Sequence, residues 1–464
     1  MLTCLSPNGK GNDSCDIGRC TAEGIEALKR TYKASKPGVR TVSGSKAIGQ
    51  ILFMKPTDGM RYRDERLPSS TQMAVKLFRS YSQVNSSVEF PGLVYELKVY
   101  DRVVRLIQLY QMNPYFVQYY GSCADIDIYG FVKLIDGKIK DKKGKKLTTE
   151  FLQKVITRAF DYVADGYVFD LNGTLKKNPL NFQQKIRSKD LFSYIITERL
   201  ENVKEFADMI DNGKNLGELR CALVQILSAL LVMKYFQLAH NDLHDGNILY
   251  TRSAQKISRK FLFRRFDVTD PSRTELVGYV LNTNLTCLVY DWDLSYCKLL
   301  GENNYLKGDA GLAGASAENK FIQQKDFIKI LMYWKYSPLI QRSSQEKVLL
   351  VSCIFPDVNS LNARKFLSYL QHLKTVDLMR LTLSEKKNLK IPDSFYAEMF
   401  PLEEILYRLV YTYNAVGGNS TTISPIYNIE DVQDKDKFEK VRCTLYDMDS
   451  QRIAQIIAEN PVRP

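Results

Sequence analysis

No two of the nine cysteines are spaced C-x-x-C, and their number is odd. Neither a zinc site nor a disulfide framework is indicated, so the expected compartment is intracellular and reducing. Cys4, Cys15 and Cys20 lie near the start, with no histidine close by to complete a metal set. An apolar core is also missing after Met1, where Pro7, Asn8 and Gly9 stand instead; no secretory signal is expected. Long apolar runs are absent too. The longest, Cys221 to Met233, is interrupted by Gln225 and Ser228 and is too short to span a bilayer, so no transmembrane segment is expected. The chain contains no internal repeat.

What is present is an ordinary globular composition, 45% hydrophobic and 25% charged over 464 residues. That length suffices for two sizeable lobes or domains. The formal net charge of +13 favours anionic partners such as nucleotides, acidic proteins, nucleic acid or membrane headgroups, unless it is spread thinly for solubility. Lys138–Lys146 is a basic run without interleaved aromatics, which reads better as a solvated hairpin tip at Gly144 than as a nucleic-acid patch. Ser258–Phe266 does alternate cations with aromatics. It fits a grip on an acidic substrate and an edge strand with a solvated face equally well.

The chemistry is concentrated in Ala239–Leu249, which holds two of the three histidines. Asp242 precedes Asn247 by five residues, with apolar residues on either side. In-line phosphoryl transfer needs a carboxylate to orient the attacking hydroxyl, oxygen ligands for Mg²⁺ and cations for the phosphates. Asp242 and Asn247 supply the first two kinds of group. Apolar residues Leu219, Ala222, Leu223, Ile226, Leu227, Leu230 and Leu231 predict a buried helix that leads into this loop. His240 then reads as a buried residue holding the loop through backbone hydrogen bonds. His244 either faces the site or packs away from it.

Further parts follow the same chemistry. Cys287–Tyr290 reads as a short buried strand that delivers Asp291, a second oxygen ligand. Met73–Phe78 is an apolar strand carrying Lys76, a cation that needs partners there. Gly44 and Gly49 are spaced like two glycines of a phosphate-covering loop, and Ile51 opens the next strand. Residues 91–111 have helical apolar spacing, with Glu96 at the edge of the stripe.

Together these motifs resemble the protein-kinase-like superfamily, and particularly the divergent serine/threonine protein kinases of large cytoplasmic DNA viruses of iridovirus type. The likeness spans about residues 40–335. It implies an α+β, two-lobed protein-kinase-like fold: a β-rich N-lobe with an insertion, and a mainly α-helical C-lobe. It divides the chain into an N-terminal tail (1–36), an N-lobe (37–200, insertion about 124–188) and a C-lobe with a helical extension (201–464). The implied cofactors are ATP and Mg²⁺, and the implied acceptor is a Ser/Thr hydroxyl on protein.

Residue by residue, the resemblance makes Asp242 the catalytic-loop aspartate, and makes Asn247 and Asp291 the metal ligands. Lys76 becomes the phosphate-binding lysine, paired with Glu96; Glu89 and Asp101 are other candidates for that glutamate. Ile196–Leu200, including Glu198 and Leu200, becomes the adenine-binding connection after a strand Phe192–Ile195. Asp326 resembles the aspartate that anchors the catalytic loop from a helix. If viral, the protein belongs in the host cytoplasm or the virion.

The pattern also departs from the family. Lys46 replaces the middle glycine of the phosphate loop. Asn241 stands where regulated kinases have Arg, so no activation-loop phosphate switch is expected. No A-P-E follows Asp291, and the long interval from Asn247 to Asp291 implies an inserted loop or hairpin. Residues 299–320 read as an activation-like loop. His244, in place of the usual Lys, and the Asp291-Trp292-Asp293 triplet resemble small-molecule kinases of the aminoglycoside and choline type. A non-catalytic scaffold of the same fold is the third reading.

Overall fold

Met73–Tyr81 alternates well enough to make a nine-residue strand, longer than the apolar core of the motif. In the computed structural model it is the second strand of a four-stranded antiparallel sheet. The structure describes residues 50–54, 61–62, 65–66, 73–81, 91–127, 167–169, 175–177, 191–200, 202–213, 215–266, 274–301, 303, 322–371, 393–413, 422–426 and 442–444. The tail 1–36, Gly44, Lys46, Gly49, the basic run at 138–146 and residues 304–320 lie outside these, as does most of the expected insertion. The protein is of mixed α and β structure and divides into two units. One comprises residues up to Asp101 together with Gln118–Leu200; the other comprises Arg102–Val117 and everything from Glu201 onward.

In the first unit the sheet has the order β1 (Gln50–Met54), β4 (Met73–Tyr81), β8 (Leu191–Glu198), β5 (Tyr119–Asp127). Two small hairpins accompany it: β2 (Arg61–Tyr62) with β3 (Glu65–Arg66), and β6 (Tyr167–Phe169) with β7 (Leu175–Lys177). Register places Lys76 opposite Ile51 on one side and Ile195 on the other. Helix α1 (Pro91–Val99) buries Tyr95, Glu96 and Val99. The helical path continues through a π-helical turn, Tyr100–Val104, into α2 (Arg105–Leu109), which lies in the second unit. Tyr100 stacks on Tyr119 of β5 at 5.6 Å between centroids.

The second unit is organised around a 20-residue helix. Helix α3 (Phe206–Asn212) follows the short strand β9 (Lys204–Glu205), and then comes α4 (Leu216–Tyr235). The Asn215 side chain caps α4 by accepting the Gly217 N–H at 2.8 Å. Every residue from Leu219 to Met233 is buried, each large aliphatic side chain contributing about 2 kcal/mol. By length and composition α4 could cross a bilayer, unlike the shorter run seen in the sequence. The two polar residues that interrupt that run are not defects. Gln225 donates to Leu285 O and accepts from Cys287 N, and Ser228 accepts from the Asn113 amide.

After α4, β10 (Leu238–Ala239) pairs with β13 (Tyr296–Cys297). Between them a long antiparallel hairpin, β11 (Ile248–Phe266) with β12 (Thr274–Val289), forms the hairpin implied by the interval from Asn247 to Asp291. The expected short strand at Cys287–Tyr290 is the end of this 16-residue β12. Strands β14 (Ile423–Ile426), β15 (Arg442–Thr444) and β9 complete the sheet. The remaining helices are α5 (Ile322–Trp334), α6 (Pro338–Gln341), α7 (Ser344–Ile354), α8 (Leu361–Gln371), α9 (Asp393–Ala397) and α10 (Leu402–Arg408). Buried ion pairing of Arg220 with Glu346 ties α4 to α7, and Lys234 with Glu403 ties α4 to α10.

Candidate active site

Lys76 and Glu96 form an ion pair within the first unit, Nζ to Oε2 at 2.7 Å. Glu96 is only 2% exposed, so a partner is required for its charge to be tolerable. Lys76 keeps 28% of its side chain exposed. Ile51 is its backbone neighbour across the sheet.

The segment Ile196–Leu200, expected as a connection after a strand ending at Ile195, is mostly strand itself. Ile196, Thr197 and Glu198 continue β8 as paired strand, and only Arg199 and Leu200 follow it as irregular chain. The Glu198 N–H donates to Gln118 O, and its carboxylate accepts the Gln118 N–H, both at 2.8 Å. These two bonds tie Glu198 to Gln118 at the edge of the sheet. Burial raises its pKa, against the opposing pull of the Gln118 N–H.

The Asp242 loop, in the second unit, is held from beneath by α5. Buried Asp326 accepts the backbone N–H groups of His240 (2.8 Å) and Asn241 (3.1 Å). Burial raises the Asp326 pKa; nearby His240 and Lys329 and the two N–H bonds oppose the rise. His240 is fully buried, and its Nε2–H donates to Tyr290 O at 2.9 Å. This is the structural role its sequence context predicts. Its ring also packs 4.9 Å from that of Trp292.

Two residues here adopt left-handed backbone, Asn241 (φ 63°) and Asp291 (φ 68°). Both are types that tolerate it, and such conformations gather at functional sites. The Asn241 side chain donates to Leu294 O at 3.0 Å, linking the loop to the segment after Asp291.

The loop closes on itself through Asn247. Its Nδ2 donates to Asp242 O at 2.9 Å and lies 3.4 Å from Asp242 Oδ2. Among the described residues no donor reaches Asn247 Oδ1, so the amide offers an oxygen to a cation. Asp291 comes to the same place through strand pairing: Ile248 is opposite Val289, and Tyr290 N donates to Asn247 O at 3.4 Å. The Tyr290 hydroxyl donates to Gly246 O at 2.8 Å, a second tie between the segments. No cluster of three or more His, Cys, Asp or Glu among the described residues is arranged to hold a metal. One amide and one carboxylate nevertheless fit Mg²⁺, which retains waters and takes phosphate oxygens.

Of the two orientations open to His244, the structure has the one facing Asp242. Nε2 lies 3.7 Å from Asp242 Oδ2, and Nδ1 accepts the Gly246 N–H at 2.9 Å. Gly246 leaves room for the ring, since a Cβ there would approach His244 Cε1 to 2.8 Å. Burial depresses the His244 pKa, but Asp245 and Asp242 together outweigh it, so the net shift is upward. Tyr333 of α5 borders the group; burial and the charges of Asp245 and Asp242 push its hydroxyl up to about 12.

Lys329 is the participant that sequence reasoning missed. It lies on α5 one turn beyond Asp326, donates to Asn241 O, and places Nζ 3.7 Å from Asp242 Oδ1. Its only sequence signal is the i, i+3 spacing from Asp326. Gln225 was also missed as a clamp on β12, and Asn303 as a clamp on Asp293 O and Ser295 O.

No protein-family model and no curated protein matches this chain.

Proposed function

We propose that this protein is an ATP- and Mg²⁺-dependent phosphotransferase with a two-lobed protein-kinase-like fold, acting on Ser/Thr hydroxyls of proteins. The observation that carries this reading is the anchored loop: Asp326 fixes its start, and Asn247 ties its end to Asp242. A carboxylate held this rigidly suits a reaction whose catalysis is mostly positioning and electrostatics.

In the proposed reaction Asp242 accepts a hydrogen bond from the acceptor hydroxyl and orients its oxygen toward the γ-phosphorus. The new O–P bond forms as the bond to the β–γ bridging oxygen breaks, and the hydroxyl proton passes to Asp242 late. Lys76, oriented by Glu96, binds α/β-phosphate oxygens. Asn247 Oδ1 and the Asp291 carboxylate would hold Mg²⁺, which supplies charge neutralisation on the phosphates when bound.

A specific observation favours a second acceptor class. His244 faces Asp242 where protein kinases carry Lys, as in the small-molecule kinases that the triplet Asp291-Trp292-Asp293 also resembles. The test is γ-labelled ATP offered with casein-like and virion proteins in one set, and with amino-alcohols and sugars in the other. Label on protein Ser/Thr supports the first reading, and label on a small molecule supports the second. Transfer to neither, with no stabilisation by Mg·ATP, defeats both and leaves the scaffold reading.

A further inference from the structure

The catalytic-type loop carries no lysine of its own. Two positions after Asp242 stands His244, and its Nδ1 is occupied as an acceptor of the Gly246 N–H. The imidazole is a titratable group, not a permanent cation. Among the described residues, Lys329 of α5 brings a positive charge to Asp242 from another element.

We propose that Lys329 is a positioning residue for Asp242, supplying the cation that the loop lacks; this rests on the phosphotransfer reading above. Helix α5 holds both sides of Asn241. Asp326 accepts its N–H and Lys329 donates to its C=O, so one rigid helix fixes the left-handed residue that immediately precedes Asp242. The carboxylate itself is then bracketed. Lys329 Nζ lies 3.7 Å from Oδ1, while Oδ2 has His244 Nε2 at 3.7 Å and Asn247 Nδ2 at 3.4 Å. Each carboxylate oxygen thus has its own polar neighbour.

Lys329 remains 41% exposed and Asp242 35% exposed. A pair so open to water adds little to stability. Its consequence should therefore lie in orientation and charge balance during transfer.

Lys329→Gln separates these roles, because Gln keeps an N–H donor but carries no charge. Lys329→Arg restores the charge. The full-length parent and both variants are assayed with Mg·ATP and the best protein acceptor, alongside thermal unfolding. The proposal expects Lys329→Gln to lose about 100-fold in kcat, the scale of removing one preorganised electrostatic group. KM for ATP should stay within about threefold and the melting temperature should be unchanged, while Lys329→Arg should keep kcat within about tenfold of the parent. A Lys329→Gln kcat within about twofold of the parent overturns the proposal. So does equal impairment of the Arg variant, or loss of cooperative unfolding in the Gln variant, which would make Lys329 a fold residue. A parent that transfers nothing removes the phosphotransfer reading itself, an outcome distinct from a parent that transfers and a variant that matches it.

Discussion

The Asn247 side-chain amide donates to the Asp242 main-chain carbonyl at 2.9 Å, closing the six-residue segment Asp242–Asn247 into a ring. The bond uses the amide nitrogen and leaves Oδ1 for a cation, so the closure of the loop and the proposed metal ligand are two ends of one side chain. Replacing Asn247 with Ala should open the ring and remove the oxygen, whereas Asp291→Asn should weaken only the ligand. Both variants are expected to need about tenfold more Mg²⁺, or greater, for half-maximal thermal stabilisation by ATP. A titration in which either variant matches the parent removes that residue from the metal site.

Glu96 is buried and forms an ion pair with Lys76 at 2.7 Å. Lys76→Met should remove the ion pair from the buried carboxylate and cost about 1–3 kcal/mol, discounted from a fully buried pair because Lys76 is partly exposed. Glu96→Gln in the same background should recover part of that loss. Denaturant unfolding of the two single variants and the double variant measures the coupling. Additive losses would mean that the pair contributes nothing to stability.

Asp326 accepts two backbone N–H groups from the loop while itself buried. Asp326→Ala should leave both donors unsatisfied and destabilise the protein by about 2–4 kcal/mol. Amide hydrogen exchange at His240 and Asn241 should rise selectively. Unchanged protection at those two amides would show that the loop is held by something else.

His244 gives a pH signature. Its folded pKa is raised above the ordinary histidine value of 6.5, so the folded state favours the protonated form. The resulting stability is fully present below pH 6.5, and is lost as pH rises through the higher folded value. A comparison of the parent with His244→Gln by thermal melts should show the larger parental advantage at acidic pH, shrinking above neutrality. An advantage that grows with pH would reverse the sign and contradict the role of Asp245 and Asp242.

Some of this was legible from residue types alone. The apolar spacing at Leu219, Leu223, Ile226 and Leu230 set out helix α4, because a buried helix needs that stripe whatever packs on it. The Asp242–Asn247 loop and the burial of His240 were legible because the loop is short and its bonds are local. Other features depended on tertiary partners. Strand β12 extends back to Thr274 through Asn282, Thr283 and Asn284, polar residues that hid its length. Gln225 read as an interruption because its partners, Leu285 O and Cys287 N, lie 60 and 62 positions away. Glu198 read as a connection, but Gln118, 80 positions earlier, draws it into the sheet edge. Lys329 is an ordinary helical lysine until α5 docks beneath Asn241.

The most direct test is transfer of labelled γ-phosphate from Mg·ATP by the parent and by Asp242→Asn, with nucleotide binding followed in parallel. The account predicts labelled Ser/Thr from the parent, a loss of at least about 100-fold in the variant, and similar ATP binding by both. Equal transfer by the two proteins would contradict it.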